Sequence, residues 1–178
     1  MRKLMMSTAS LAALFAVACT PSTTSEDTVS EDRVTEAAET QIELDAATQE
    51  ALATNPLLAE WTGPYGGVPD FQAASLDDLR GALEAGMAAN LAEIDAIVNN
   101  PEAPTFENAI AAMERAGDPL GRVFSYWGIW SSNQSSPEFR EIQREMIPAL
   151  SAYQSQITQN EALFERIRAV YELSLIHI

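Results

Sequence analysis

Catalysis needs reactive side chains that converge, and this sequence offers few of the usual kinds. It holds one histidine, His177, and one cysteine, Cys19. Zinc bound by protein groups calls for an HExxH or paired cysteines, and neither is present; carboxylates alone would favour a hard cation in a site that nothing in the spacing marks. A serine or cysteine nucleophile normally uses a histidine as its base, and His177 lies alone in the apolar run LSLIHI at the end of the chain. Gly63, Gly66 and Gly67 precede no helix start of the phosphate-cradling kind, and no lysine follows them. Neighbouring acids such as Asp77 with Asp78, or Glu26 with Asp27, are common on solvated surfaces. Trp127 and Trp130, three apart, could stack on a ligand, but an aromatic stripe at that spacing is more often core. From the residues alone, no catalytic and no metal-ligating residue is assigned.

The charge is lopsided: 26 Asp and Glu stand against 10 Lys and Arg, a formal net of -16 over 178 residues. Such a chain repels nucleic acid and anionic headgroups, so neither is expected as a partner through surface charge. The opening, MRKLMMSTASLAALFAVAC, has a basic start (Arg2, Lys3), an apolar run from Leu11 to Val17 and a small residue before Cys19, the layout of an export signal. AVAC resembles the bacterial lipobox, whose cysteine is lipidated and becomes the first residue, although Ala16 stands where that motif more often has Leu. Residues 1–18 are thus expected to be a lipoprotein signal peptide, with Cys19 the lipidation site. With no second cysteine there is no intramolecular disulfide to form.

Residues 19–54 read as an acidic flexible tether. From Thr20 to Thr54 there are nine acids, one base (Arg33) and no aromatic residue, too little apolar surface to offset the entropy of ordering. Within it, Gln41 to Ala53 has a weak helical tendency. From Asn55 to Ser75 a Pro- and Gly-rich stretch punctuated by Trp61, Tyr65 and Phe71 predicts an ordered, aromatic-pinned lead-in.

From Ser75 onward the period is helical. Ser75 caps a run with Leu76, Leu79, Leu83, Met87, Leu91, Ile94 and Val98 at steps of three and four, which stops at Asn99, Asn100 and Pro101. Thr105 caps a shorter helix carrying Phe106, Ile110 and Met113, ended by Gly117. Asp118-Pro119 starts a third, with Leu120, Val123, Phe124, Trp127 and Trp130 or Ser131 as its stripe. Ser136-Pro137 starts a fourth, with Phe139, Ile142, Met146, Leu150, Tyr153 and Ile157 on one face and a kink expected at Pro148. Asn160 caps a fifth, with Leu163, Phe164, Ile167, Val170 and Tyr171 in phase, and this one reads as interrupted rather than finished. The prediction is an all-α domain of consecutive antiparallel helices.

Two phrases, NPEAPTFENAI (residues 100–110) and NEALFERIRAVYE (residues 160–172), carry a more specific signal, with LEAGMAANLAEIDAIVNN in support. From about Asn55 to Glu172 the chain resembles the N-terminal region of the thimet-oligopeptidase-like zinc metallopeptidases, closest to their bacterial peptidyl-dipeptidase (dipeptidyl carboxypeptidase) branch. The resemblance implies that residues 55–172 are the N-terminal helical region of a larger, mostly helical, two-lobed peptidase that hydrolyses short unfolded peptides, releasing dipeptides from their C-terminal ends. In that family a metal-activated water attacks a zinc-polarised carbonyl, and the HExxH ligands lie far C-terminal of this region. No position here matches a zinc ligand or the catalytic glutamate, so the implied zinc belongs to a full-length parent and none is expected on this segment. The implied setting is an exported protein anchored to a bacterial membrane through lipidated Cys19 and facing the periplasm.

The final six residues stand apart. The codons CTG TCT CTT ATA CAC ATC encode Leu-Ser-Leu-Ile-His-Ile, and that string resembles the transposon mosaic-end adaptor of sequencing libraries. Since it begins where the family resemblance ends, residues 173–178 are expected to be translated adaptor, and His177 a mark of truncation rather than a ligand. The alternative is a complete, non-catalytic helical lipoprotein that binds or scaffolds envelope components.

Overall fold

The computed structural model describes residues 42–175. Cys19, the signal region, the tether up to residue 41, and His177 lie outside the described residues. Within them the fold is all-α, with six α-helices and no strand, as the periodicity predicts.

The first ordered element lies upstream of the expected boundary at residue 55. Helix α1, Ala46–Thr54, is capped by Asp45, whose carboxylate accepts the Thr48 N–H at 2.7 Å. Its intrinsic tendency is weak; what orders it is tertiary contact, since Ala51 and Leu52 pack against the main core. The Ile42 N–H donates to Asp95 Oδ2 at 3.0 Å, which ties even the segment before α1 to the next helix. The folded part therefore takes in the last third of the stretch read as tether.

The lead-in is ordered as expected, but leucines rather than aromatics anchor it. Leu57 and Leu58 are fully buried, whereas Phe71 keeps 43 % of its surface exposed. The Asn55 side chain bridges them to the next helix, donating to the Asp78 carbonyl at 3.0 Å and accepting the Leu57 N–H at 3.0 Å. A short 3₁₀ turn, Pro64–Gly66, follows. Gly67 closes it at φ +84°, where a Cβ would lie 2.5 Å from the Trp61 carbonyl carbon, so only glycine fits.

Helix α2, Leu76–Val98, is the hub on which the other five helices all pack. A helix surrounded this way must bury more than one stripe. Alongside the expected Leu79, Leu83, Met87 and Ile94 it buries Ala82, Ala85, Gly86, Ala89, Asn90 and Ile97. The small residues let neighbours approach closely: a Cβ on Gly86 would meet Leu120 at 3.1–3.2 Å.

Thr105 caps the next element through a full capping box with Asn108, yet the turn it starts, Phe106–Ala111, is π-wound before continuing as α3, Ala112–Arg115. Phe106 faces outward, against its expected place in the stripe. Gly117, at φ +85°, ends α3 and also occupies the cap position of α4, Asp118–Ser132, so Asp118 is the first helical residue rather than the cap. Helix α5, Pro137–Thr158, is capped by Ser136 and runs continuously through Pro148. Helix α6, Glu161–Leu175, begins with Asn160 accepting the Leu163 N–H at 2.9 Å and extends past Glu172 without a break. A main core joins α1, the lead-in, α2, α4 and α5. A smaller one gathers Ile94, Ile97 and Leu163 between the end of α2, α3 and α6.

Candidate functional site

The residues first singled out for chemistry take structural places. Asp77 and Asp78 occupy the first turn of α2, where carboxylates favour the positive end of the helix dipole. Gly63, Gly66 and Gly67 shape the 3₁₀ turn. Trp130 is buried in the main core, and Trp127 packs edge-on against Phe139 with ring centres 5.1 Å apart, so the stripe is core rather than a stacking platform. Among the described residues no three His, Cys, Asp or Glu side chains gather as a metal ion would require, so no metal-dependent step can be written on them.

A cleft lies between the lead-in and the start of α4. It is an open groove of about 590 Å³ with Glu60, Trp61 and Gly66 on one side and Gly117, Asp118, Gly121 and Arg122 on the other. Arg122 is held down, since Nε and Nη2 both donate to the Leu58 carbonyl at 3.0 and 2.9 Å. Gly66 and Gly121 leave the groove open; a Cβ at either would meet nothing within 4 Å.

Behind the groove lies the one buried polar side chain among the described residues, Asn90. Its Oδ1 accepts the Tyr153 hydroxyl at 2.5 Å and its Nδ2 donates to Glu93 Oε2 at 3.4 Å. The same carboxylate oxygen accepts the Gly117 N–H at 2.6 Å. One asparagine and one glutamate of α2 thus connect α5 to the glycine that forms a wall of the groove. Sequence reading passed over this node, although a signal exists: Asn90 falls in phase between Met87 and Ile94, a polar residue at an inward position.

The node has a pH consequence. Burial, and then the negative charge of Glu93, hold the Tyr153 phenol above its ordinary range of about 10. The folded state therefore favours the neutral phenol. That stability is present below the unfolded value and is lost as pH rises through the folded one. Tyr153→Phe should flatten the alkaline decline in urea midpoint as pH rises above about 10; an unchanged decline would assign it to other groups.

Helix α6 is docked on one flank only. Leu163 is buried and Arg166 donates to the carbonyls of Asn100 and Glu102, but Phe164 and Tyr171, seven residues apart on another face, are 59 % and 61 % exposed.

No family model matches the chain. Individual proteins do. It is 34 % identical over 121 residues to the dipeptidyl carboxypeptidase of Salmonella typhimurium, covering 68 % of this chain and 18 % of that protein. The Escherichia coli dipeptidyl carboxypeptidase is 33 % identical over 118 residues, 66 % of this chain and 17 % of the relative. Oligopeptidase A of Salmonella typhimurium is 30 % identical over 115 residues, 65 % of this chain and 16 % of the relative. The chain thus spans less than a fifth of the curated relatives it matches. About two thirds of it is homologous to a segment of dipeptidyl carboxypeptidase and oligopeptidase A, in agreement with the resemblance to the thimet-oligopeptidase-like peptidases.

Proposed function

We propose that the chain is the N-terminal part of a lipid-anchored zinc metallopeptidase that hydrolyses short peptides and releases C-terminal dipeptides. The observation that carries this reading is the similarity itself: two relatives named dipeptidyl carboxypeptidase match two thirds of the chain while the chain covers 17–18 % of each. The exposed Phe164 and Tyr171 accord with a helix whose second flank is covered by further protein. In this reading the described helices supply wall and packing. The zinc ligands and the water-activating glutamate come from elsewhere in the polypeptide.

The gene decides it. Read beyond the codon for Glu172 in an independently sequenced copy, the frame should continue for several hundred codons, lack LSLIHI at residues 173–178, and encode an HExxH. A frame without HExxH over that length would overturn the peptidase reading and favour the non-catalytic lipoprotein. For the anchor, Cys19→Ser should move the protein from the membrane to the soluble periplasmic fraction; unchanged fractionation would refute lipidation at that residue.

A further inference from the structure

We infer that the groove between Trp61 and the start of α4 binds the amino-terminal end of a short peptide. The choice of a peptide rests on the peptidase reading above; the choice of its amino end rests on the charges that line the groove. Glu60 and Asp118 both line it, both are solvent-exposed, and neither forms an ion pair with a described residue. The cation in the same groove, Arg122, has two of its three nitrogens committed to the Leu58 carbonyl, which fixes the guanidinium against the lead-in. The carboxylates, unpaired with it, remain available to a protonated amine.

Shape agrees with charge. An extended peptide backbone needs a trough without side chains across it, and two lining positions are glycines whose Cβ would point into open space. A groove of about 590 Å³ falls in the range of small-ligand sites. The far wall is not free to drift, because the Gly117 N–H is held by Glu93 and that carboxylate also accepts from Asn90. A preorganised wall reduces the ordering cost of binding.

The test uses the full chain and three probes: tri-alanine, acetylated tri-alanine and acetyl-Ala-Lys. Binding is read from the Trp61 indole N–H NMR signal, assigned by its loss in Trp61→Phe. Tri-alanine should shift that signal saturably. Glu60→Gln and Asp118→Asn should each weaken binding by about threefold to fivefold, the scale of a partly exposed ion pair. Gly121→Leu should abolish binding by filling the trough while melting no lower than the native chain. Acetylated tri-alanine binding as well as the free peptide would overturn the proposal, as would tri-alanine producing no shift or either carboxylate variant binding undiminished. Acetyl-Ala-Lys binding more tightly than tri-alanine would likewise overturn it, by assigning the groove to a lysine side chain. Because the readout is binding to this chain, its failure leaves the gene-sequence test untouched, and an absent HExxH would not erase a measured shift.

Discussion

Replacing Tyr126 with alanine is expected to destabilise the domain by about 4 kcal/mol, within the range for truncating a large buried aromatic residue. Its ring is 1 % exposed, tilted against Trp130 at 6.1 Å and edge-on to Phe71 at 5.2 Å. Its hydroxyl accepts the Asp70 N–H at 2.9 Å. The side chain thus does two jobs, filling the core beside α4 and fastening the lead-in that carries Trp61. Tyr126→Phe separates them: it keeps the ring and loses only the acceptor, at a cost of about 1 kcal/mol. Urea unfolding should give those two values with similar slopes. If the phenylalanine variant cost as much as alanine, the hydrogen bond to Asp70 would outweigh the packing. If alanine cost under about 1 kcal/mol, the burial described here would be wrong.

Tyr126 also shows where sequence reading stops. The stripe of α4 was legible at Leu120, Val123 and Trp130, because those positions recur at three and four. It was not legible between Phe124 and Tyr126, which lie on opposite flanks of that stripe. Which flank turns inward depends on the body docked there, and at Tyr126 the body is the lead-in, through Asp70 and Phe71, an association no local periodicity encodes. The same holds for α2. Its leucines were legible as one apolar face, but Ala82, Ala85, Gly86 and Ala89 read as indifferent until several helices press on that element from different sides. Four starts were legible, because a cap is local chemistry: Ser75, Thr105, Ser136 and Asn160 each accept a backbone N–H two or three residues ahead, as predicted, whereas the cap of α4 fell to Gly117 and not to Asp118. Helix α1 was under-read for the converse reason, since its weak tendency is outweighed by contacts with α2. The groove was harder still. Glu60 and Trp61 are 55 or more residues from Asp118, and tertiary contacts of the lead-in, the Arg122 and Tyr126 bonds among them, bring them together.

The Gly117 backbone has the second large expected effect, and here the same substitution at two nearby glycines should have opposite signs. Gly117 sits at φ +85°, where a residue with a Cβ is strained by about 1–2 kcal/mol, and that Cβ would lie 2.8 Å from Asn90 Nδ2. The Asn90 amide cannot retreat cheaply, since its oxygen holds the Tyr153 hydroxyl and its nitrogen faces Glu93. Gly117→Ala should therefore cost about 3 kcal/mol, the backbone strain plus a loosened buried polar node. Gly121, four residues on, is exposed, helical and surrounded by open space, so Gly121→Ala should stabilise by about 0.5–1 kcal/mol. The pair controls for the change of residue type, and Asn90→Ala separates the two parts of the Gly117 cost. In the Asn90→Ala background the clash disappears while the strained φ remains, so the Gly117→Ala penalty should shrink to the backbone part alone. An undiminished penalty there would place the whole effect in the backbone, and Asn90 would then have no part in holding the wall of the groove.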